Sequence, residues 1–296
     1  MIAPLNEEDF KALQPDILLT FGGLVVSKKI KGFLRTYKPE HHWHIGLFKA
    51  NDTFFCLDTH LKLRPNTFLA AFLPQVTHHT KSNYKLTWLT VRQKRRKMHE
   101  LYLDDLPFSD FTVFNSVLKS LPKQSVLQVG NSSAIRYTQL FHVSKSVSVF
   151  CNRGTSGIDG STSTAIGASI ATEQRTTFIT GDLSFFYDSN ALWNNYIPKT
   201  FRIIVINNEG GGIFRILPGH KDTNNFDTFF ETKHHLSAKQ LCEMYGFKYK
   251  VAKDQNETIT QLNEFYKVSK QPVLLEIFTP SKINDKILLE YFKFIK

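Results

Sequence analysis

The chain has 296 residues, of which 42% are hydrophobic and 21% are charged, and its formal net charge is +11 at pH 7. This length allows two ordinary domains, each with its own core, and the composition fits a soluble globular protein. No run of about 18 apolar residues occurs, so no transmembrane helix is expected.

The predicted compartment is the cytoplasm. The chain carries Glu7 and Glu8 near its start, where a signal peptide would carry lysines. Cys56, Cys151 and Cys242 are few, scattered and odd in number, which indicates reduced thiols inside a cell.

The positive charge admits three interpretations. The basic run RQKRRK at 92–97 could bind nucleic acid, but it lacks a recognition motif, which makes this a minor interpretation. The ordinary interpretation of such a run is the solvated face of a helix. The third is that part of the positive charge binds small anionic ligands.

The first third of the chain alternates between predicted strand and helix. The elements are a buried strand entering a glycine turn (16–23), a helix (27–37), a strand (44–48), a short helix that Pro74 stops (66–73) and a long polar helix (84–103). This order is typical of a small α/β domain with a parallel sheet, and the long helix leads into a second domain. We therefore predict one domain at 1–104 and another at 105–296.

The second domain continues the alternation. Its predicted helices are 111–121, 159–172, 184–195, 239–245 and 257–269, and its predicted strands are 125–129, 147–150, 176–180, 201–206 and 273–277. The predicted fold class is α/β, with two doubly wound parallel-sheet domains.

The strongest functional signal lies in GDLSFFYDSNALWNNYIPKTFRIIVINN, which ends at Asn208. Asp182 follows the strand at 176–180, and Asn208 follows the strand at 201–206. A strand, a helix and a parallel strand put both turns at the same edge of the sheet. Open α/β sheets bind ligands at this edge, beyond the carboxyl ends of their strands.

Asp182 and Asn208 offer the hard oxygen ligands that Mg²⁺ prefers. The glycine run that begins at Gly210 is flexible enough to aim a carbonyl at the same ion. A diphosphate and a water would complete the coordination, and free N–H groups of Leu183 and Ser184 would favour a phosphate. Such residues are often only turn residues, but two such turns flanking one strand–helix–strand unit predict a Mg²⁺–diphosphate site.

Several motifs carry a resemblance to a known family. Gly181-Asp182 and Asn207-Asn208, with 24 residues between them, resemble the diphosphate and metal motif of thiamine-diphosphate enzymes. The neighbouring motifs are similar to those of the 2-succinyl-5-enolpyruvyl-6-hydroxy-3-cyclohexene-1-carboxylate (SEPHCHC) synthases of menaquinone biosynthesis. These motifs are GNSSAIR at 130–136, NRGTSGIDG at 152–160, GDLSFFYD at 181–188 and GGIFRILP at 211–218. The first domain resembles the family's central domain more loosely.

The resemblance implies a cofactor and a reaction. Thiamine diphosphate and Mg²⁺ (or Mn²⁺) would be bound, 2-oxoglutarate would be decarboxylated, and the succinyl-thiamine-diphosphate carbanion would add to isochorismate to give SEPHCHC. The implied metal ligands are Asp182, Asn208 and Gly210. The implied cofactor-binding residues are Asn131, Ile158, Gly181, Asp182, Leu183, Ser184, Asn208, Gly210 and Ile213. Among them, Ile158 would keep the two rings of the cofactor folded together.

The resemblance also implies how the two dianionic substrates are bound. The implied substrate-binding residues are Ser132, Arg136, Arg153, Lys28, Lys29, Phe214 and Leu217. Arginines can bind carboxylates bidentately, and the apolar residues, together with Ile213, would form a wall. The alternatives are surface salt bridges for the arginines, ordinary core for the apolar residues and a solvated helix face for the lysines. The family is expected to carry arginine where Lys29 stands.

Family members are about twice this length and begin with a domain that binds the cofactor's pyrimidine and supplies an activating glutamate. The resemblance therefore implies that this chain is the C-terminal half, that it lacks the catalytic glutamate and that it is inactive alone. The full-length enzyme is expected to be a homo-oligomer, because the family's sites form between subunits. Neither nucleic acid nor a membrane span is expected.

Two alternatives stay open at this point. One is another thiamine-diphosphate 2-oxoacid decarboxylase or acetolactate-type synthase, and the other is a non-catalytic module of the same fold. The histidine-rich segments at 41–44 and 234–235 suggest zinc, but no cysteine or carboxylate stands at ligand spacing, so no zinc site is predicted.

Overall fold

The structure, a computed structural model, describes residues 5–77, 81–217, 219, 223 and 225–296. The chain divides into two compact units, of which the first comprises Met1–Asp104 with Tyr291–Lys296 and the second comprises Asp105–Glu290. The predicted division assigned everything after residue 104 to the second domain, so it differs from the structure at the C-terminus.

Side chains of one long helix hold the C-terminal residues in the first unit. Arg95 is buried and its guanidinium donates a hydrogen bond to the carbonyl of Ile295. His99 Nδ1 lies 3.0 Å from the hydroxyl of Tyr291. These contacts join positions far apart in the chain, which is why no local pattern in the sequence predicts them.

The first unit contains a parallel three-stranded sheet in the order β1-β2-β3. Its strands are β1 (Ile17–Phe21), β2 (His41–Ile45) and β3 (Thr59–Leu61), and its helices are α1 (Glu7–Ala12), α2 (Lys28–Thr36), α3 (Pro65–Phe72) and α4 (Tyr84–Leu103). One buried hydrophobic cluster of this unit contains Leu5, Leu13, Phe33, Leu34 and Phe54.

Two strand predictions in this unit need correction. The strand predicted at 44–48 is β2, which ends before the apolar pair Leu47 and Phe48, and Phe48 is 87% exposed. β1 was predicted to be buried, but Ile17 and Phe21 are 54% and 59% exposed. The reason is that β1 is an edge strand, and alternate residues of a strand face opposite sides of the sheet.

The basic run on α4 is mostly a solvated helix face. Arg92, Lys94, Arg96 and Lys97 are exposed, whereas Arg95 is buried. The period of the helix turns Arg95 inward. There the carbonyl of Ile295 accepts a hydrogen bond from its guanidinium.

A cluster of histidines lies on the first sheet. Thr20, His44 and His60 are in register across the three strands, and the Thr20 hydroxyl lies 2.9 Å from His42 Nε2 and 3.1 Å from His44 Nδ1. His42 is buried, and its Nδ1 has no hydrogen-bond partner among the described residues. Burial lowers the pKa of both His42 and His44, so the folded unit favours their neutral forms.

We expect the first unit to lose stability as the pH falls below about 6.5. Near that pH the unfolded chain binds a proton at each histidine. The folded unit binds these protons only at lower pH, because the pKa values of His42 and His44 are lowered. The free energy of unfolding therefore decreases with falling pH. Urea unfolding followed through Trp43 and Trp88 measures this, in a Trp193→Phe background that removes the signal of the second unit.

Replacing both His42 and His44 with glutamine should flatten this pH dependence, because glutamine does not titrate. His41→Gln is the matched control, since His41 is an exposed histidine on the same strand. An unchanged pH dependence in the double variant would contradict the assignment.

The second unit contains a six-stranded parallel sheet in the order β5-β4-β6-β7-β9-β8. Its strands are β4 (Val126–Val129), β5 (Ser148–Cys151), β6 (Thr176–Gly181), β7 (Arg202–Asn207), β8 (Lys248–Ala252) and β9 (Val273–Phe278). Its helices are α5 (Asp110–Ser120), α6 (Ser133–Thr138), α7 (Ser161–Ile170), α8 (Asp182–Tyr187), α9 (Lys239–Tyr245) and α10 (Gln255–Phe265), and α11 (Asn284–Phe294) crosses the boundary between the units. Short 3₁₀ helices lie at Leu73–Gln75 in the first unit and at Ser189–Trp193 and Gly212–Arg215 in the second. A short π helix lies at Phe226–Phe230 in the second unit.

Parallel sheets in both units confirm the predicted α/β class. The central strands β6, β7 and β9 are buried along nearly their whole length, as expected for parallel strands covered on both faces. The helix predicted at 184–195 is instead α8 followed by the 3₁₀ turn Ser189–Trp193. Directly after α8, the Asp188 carboxylate accepts hydrogen bonds from the backbone and hydroxyl of Ser163. Among the described residues, every helix is too short or too polar to span a lipid bilayer.

Candidate cofactor and metal site

The turns after β6 and β7 meet at one edge of the second sheet. The two strands are parallel and Gly181 pairs with Ile206, so Asp182 and Asn208 leave the sheet at the same carboxyl edge. The Gly210 N–H donates a 3.0 Å hydrogen bond to Asp182 Oδ2, which joins the two turns directly. The prediction that this stretch brings an acid and an amide to one edge is confirmed.

Asp182 is a buried carboxylate, with 3% of its surface exposed. Its Oδ1 accepts a 2.7 Å hydrogen bond from the Leu183 N–H, and its Oδ2 accepts the bond from Gly210. His234 Nε2 lies 3.3 Å from the same Oδ2. The carboxylate raises the pKa of His234, against the effect of burial, which lowers it. Asp182 is therefore a concentrated negative charge in a place shielded from water, where a cation is favoured.

Sequence reasoning did not place His234 at this site. The Leu236 N–H donates a 3.1 Å hydrogen bond to His234 Nδ1, so the neutral ring carries its hydrogen on Nε2, the atom next to Asp182. The ring also packs edge-to-face on Phe186. In the sequence, the doublet with His235 is the one signal at this position, and such a doublet suggests zinc rather than a contact with Asp182.

A second buried acid holds the Asn208 carboxamide. Asn208 Nδ2 donates a 2.9 Å hydrogen bond to Asp110 Oδ2, whereas Asn208 Oδ1 accepts no hydrogen bond within the described ranges. Burial raises the pKa of Asp110 to about 6, although hydrogen bonds from Thr279 and Asn208 lower it. Sequence reasoning missed Asp110 too, because an acid in the first turn of a helix is ordinary and marks no site.

The glycine loop after Asn208 is held in one conformation. Gly210 has φ +146°, and a Cβ there would lie 2.6 Å from the carbonyl oxygen of Glu231. The Gly211 N–H donates a 2.6 Å hydrogen bond to that oxygen, and the Gly212 N–H donates a 3.1 Å bond to the Gly210 carbonyl. The predicted role of this glycine run was flexibility, whereas the structure requires glycine at Gly210 for a close backbone approach. The Gly210 oxygen keeps a second lone pair for a metal.

A buried glutamate on β9 supports the start of the same loop. Glu276 is fully buried and accepts hydrogen bonds from Ser237 Oγ at 2.8 Å, Tyr249 Oη at 2.7 Å and Asn207 Nδ2 at 2.8 Å. Asn207 Oδ1 in turn accepts a 3.1 Å bond from the Glu209 N–H. The Glu276 carboxylate therefore fixes the conformation of the turn that carries Asn208, and each of its oxygens has donors, as a buried charge requires.

The oxygen atoms at this edge fit a hard divalent cation. The Asp182 carboxylate, the Asn208 Oδ1 and the Gly210 carbonyl lie on two turns that a hydrogen bond joins. No cluster of three or more His, Cys, Asp or Glu side chains that could hold a metal occurs among the described residues. A set with a single carboxylate is suited to Mg²⁺, which takes its other oxygens from phosphates and water. The ligand roles of these three residues stay a prediction.

The start of α8 differs from the predicted phosphate-binding terminus. The Leu183 N–H is not free, because the side chain of Asp182 folds back to accept its hydrogen bond. Ser184 is buried, and its hydroxyl donates a 2.6 Å bond to the Ile158 carbonyl. That bond ties Ile158 to the turn of Asp182, where the resemblance places a ring wedge. The cofactor contacts of Leu183, Ser184 and Ile158 stay predictions.

Asn131 connects two of the predicted motifs, its own at 130–136 and the one at 152–160. It is buried, and its Nδ2 donates to the carbonyls of Asn152 and of Gly157, the latter at 2.6 Å. Its Oδ1 accepts a 3.2 Å bond from Arg153 Nη1. The next residue, Ser132, has φ +65°, a backbone conformation that residues other than glycine rarely adopt and that is often found at functional sites.

Arg136 and Arg153 form a pair of like charges. Burial and the nearby charge of Arg153 lower the pKa of Arg136. The Arg136 guanidinium donates a 2.9 Å hydrogen bond to the Ser132 carbonyl. Neither arginine forms an ion pair with a carboxylate in the part of the chain that the structure describes, so the alternative of surface salt bridges finds no partner there. Two neighbouring cations without an acid favour an anionic ligand.

The predicted apolar wall is partly open to solvent. Ile213 is buried, with 7% exposed, whereas Phe214 and Leu217 are 37% and 39% exposed. The interpretation as ordinary core therefore suits Ile213 but not the other two, which leave apolar surface available to a ligand. Pro218, the last residue of the motif, lies outside the described residues.

Lys28 and Lys29 lie in the first unit. They are the first two residues of α2, and both are exposed. Ser27 caps the helix through its hydroxyl. Two lysines in a first turn oppose the helix dipole, so they do not stabilise the helix there. Their contact with substrate stays a prediction.

Curated relatives similar to this chain are named 2-succinyl-5-enolpyruvyl-6-hydroxy-3-cyclohexene-1-carboxylate synthase. The chain is 53% identical to the one from Flavobacterium psychrophilum, over 99% of this chain and 53% of that protein. It is 57% identical to the one from Christiangramia forsetii, over 98% of this chain and 50% of that protein. It is 36% identical to the one from Porphyromonas gingivalis, over 100% of this chain and 52% of that protein. The chain thus spans about half the length of the curated relatives it matches. The predicted resemblance to the SEPHCHC synthases is confirmed.

A family comparison agrees with the geometry. The family described as "Thiamine pyrophosphate enzyme, C-terminal TPP binding domain" matches residues 128–277. This range contains Asn131, the turns of Asp182 and Asn208 and the glycine loop, and it extends from β4 to β9. The chain therefore belongs to the thiamine pyrophosphate enzymes, whose C-terminal TPP-binding domain lies in its second unit.

Proposed function

We propose that this chain forms the diphosphate-binding part of a thiamine-diphosphate-dependent transferase. The enzyme would decarboxylate 2-oxoglutarate and transfer the remaining succinyl unit to isochorismate, giving SEPHCHC. The name of the relatives supports this reaction. The observation that carries the proposal is the hydrogen-bonded pair of turns that brings Asp182 and Asn208 to one edge of the sheet.

Three oxygens of this chain would hold the cofactor's metal. Asp182 supplies the negative charge, Asn208 supplies an amide oxygen that accepts no hydrogen bond from any described residue, and Gly210 supplies a carbonyl. A Mg²⁺ or Mn²⁺ held there would neutralise the buried carboxylate and bind the diphosphate. Bound thiamine diphosphate supplies the electron sink for decarboxylation of a 2-oxoacid.

The neighbouring residues would orient the cofactor and exclude water. Ile158 is tied to α8 through Ser184, and Ile213 is buried beside the glycine loop. Gly181 ends β6 without a side chain, so the backbone before Asp182 stays accessible. An apolar enclosure strengthens each charge interaction within the site.

The arginine pair would bind the carboxylates of the substrates. Both 2-oxoglutarate and isochorismate are dianions, and Arg136 and Arg153 have no acid partner among the described residues. A bound carboxylate would relieve the repulsion between the two guanidinium groups and could be held bidentately. Ser132 follows Asn131 and accepts the hydrogen bond from Arg136 through its carbonyl, so it would lie beside the bound carboxylate. Lys28 and Lys29 are weaker candidates for substrate binding.

The remaining elements of the enzyme would come from beyond this chain, which matches about half of its relatives' length. We propose that an N-terminal pyrimidine-binding domain supplies the activating glutamate, that the chain alone is inactive and that the full-length enzyme is a homo-oligomer. The three unpaired cysteines support a cytoplasmic location.

Equilibrium dialysis of the chain against thiamine diphosphate tests the proposed site. Retention should depend on Mg²⁺ and be lost with a chelator. Thiamine monophosphate should bind much more weakly, because it carries one phosphate where the proposed site binds a diphosphate through the metal. Equal retention of both compounds without a divalent ion would overturn the site. A full-length enzyme that contains this chain should consume isochorismate with 2-oxoglutarate but not with pyruvate, and preference for pyruvate would favour an acetolactate-type synthase.

A further inference from the structure

The acid that contacts Asn208 belongs to a different segment of the chain. Asp110 starts α5 and is 2% exposed. Its Oδ2 accepts the 2.9 Å hydrogen bond from Asn208 Nδ2, and its Oδ1 accepts a 2.6 Å bond from the Thr279 hydroxyl. Its backbone N–H donates a 2.9 Å bond to Asn284 Oδ1. A carboxylate with both oxygens and its backbone occupied has one orientation.

We propose that Asp110 is a positioning residue of the metal site, which fixes the carboxamide of Asn208 so that its oxygen is available to the cation. This inference rests on the proposed function of Asn208 as a ligand. A carboxamide is planar, with its nitrogen and oxygen on opposite sides. Because Asp110 binds the nitrogen, the oxygen is held on the side away from this acid.

The alternative orientation would work against a metal. A carboxamide rotated by half a turn presents its NH₂ group, which donates hydrogen bonds and repels a cation. It would also bring the amide oxygen against the Asp110 carboxylate, which can only accept while ionised. One buried acid therefore selects the useful orientation of Asn208, as outer-shell partners of metal ligands commonly do.

The surrounding contacts hold Asp110 in place from β9 and the segment that follows it. Thr279 comes directly after β9, and its backbone N–H donates a 3.0 Å hydrogen bond to the carbonyl of Asn207, the neighbour of Asn208. The Asn284 side chain donates a 2.8 Å bond to the Pro280 carbonyl. Thr279, at the end of β9, is therefore hydrogen-bonded both to Asp110 and to the turn that carries Asn208.

Three variants separate orientation from stability. Asp110→Ala removes the acceptor. Asp110→Asn keeps it, since the new amide can accept from Asn208 while donating to the Thr279 hydroxyl oxygen. Thr279→Val is the matched control, because it removes the other hydrogen bond to the Asp110 carboxylate and leaves the bond from Asn208 in place. Urea unfolding of each variant reports the cost in stability independently of the metal.

Metal affinity is read from the electron paramagnetic resonance signal of free Mn²⁺, titrated into the chain with excess thiamine diphosphate. We expect Asp110→Ala to weaken Mn²⁺ binding roughly 10- to 100-fold. Asp110→Asn and Thr279→Val should each change it by less than about threefold, even if both lower the urea midpoint. A second readout needs no metal: the side-chain NH₂ resonances of Asn208 should be protected in the parent chain and lose that protection in Asp110→Ala.

The outcomes distinguish the two proposals. Parent and Asp110→Ala chains that bind Mn²⁺ equally, or an Asp110→Asn variant as weak as Asp110→Ala, overturn the positioning role while the metal site stands. Absence of Asn208 NH₂ protection in the parent chain overturns it without reference to a metal. A parent chain whose Mn²⁺ binding does not respond to Asp182→Asn overturns the proposed metal site itself, and the role of Asp110 falls with it.

Discussion

Replacing Asp182 with asparagine should abolish Mg²⁺-dependent binding of thiamine diphosphate. The substitution preserves the volume of the side chain, and its amide oxygen can still accept the hydrogen bond from Gly210. What it removes is the only charged ligand of the proposed set. We therefore expect the affinity to fall by more than the roughly 10- to 100-fold that loss of an outer-shell partner costs. Equilibrium dialysis at several Mg²⁺ concentrations measures the change.

Asp188→Asn is the matched control for this substitution. Asp188 is also a buried acid, but its carboxylate binds the backbone and hydroxyl of Ser163 and lies outside the proposed ligand set. Its replacement should lower stability and leave the cofactor affinity of the folded chain unchanged. If the Asp182 variant bound the cofactor as tightly as the parent, with the same sensitivity to a chelator, Asp182 would not be a metal ligand.

Replacing Arg153 with methionine should raise the KM for a carboxylate substrate and leave thiamine diphosphate binding unchanged. Methionine keeps much of the apolar stem but removes the guanidinium that would bind the substrate. Losing one partner of a hydrogen-bonded charge pair costs about 2 kcal/mol or more, which corresponds to roughly 30-fold or more in kcat/KM. Steady-state kinetics with 2-oxoglutarate and with isochorismate, in a full-length enzyme containing this chain, identify which substrate is affected.

Arg153→Lys sharpens this test, because lysine keeps the charge but loses the planar fork. It should recover only part of the loss. Arg175→Met is the control, since Arg175 stacks on Tyr266 rather than on the proposed site and its loss should not change either KM. A variant of Arg153 that loses cofactor affinity with an unchanged KM would instead make Arg153 a cofactor-binding residue.

The predicted fold agreed best with the structure where local patterns were strong. The helix at 84–103 has the same bounds as α4, and the buried strands at 176–180 and 201–206 are β6 and β7. Predictions were less accurate at the ends of elements. The strand predicted at 44–48 is an example, because it included the apolar residues Leu47 and Phe48, which lie outside β2. β3, β8 and α6 were not predicted, because short elements with mixed composition carry weak periodicity.

Part of the candidate site could also be anticipated. Asp182 and Asn208 follow strong apolar strands, and parallel strands joined by a helix place their ends together whatever the details of packing. Asp110, which lies 98 positions from Asn208, and Glu276, which lies 69 positions from Asn207, could not be anticipated. In the sequence, Asp110 resembles an ordinary helix start, and Glu276 resembles an isolated charge within a strand.

The amino-acid sequence by itself determined the α/β class, the succession of the main strands along the chain and the motif that carries the proposed metal ligands. These follow from periodicity and from turn chemistry, which act over a few neighbouring residues. Only the tertiary structure decided which way the Asn208 amide is held, why Gly210 must be glycine and which histidine faces Asp182. Those depend on hydrogen bonds and close approaches between segments far apart in the chain, and such contacts exist only once the chain has folded.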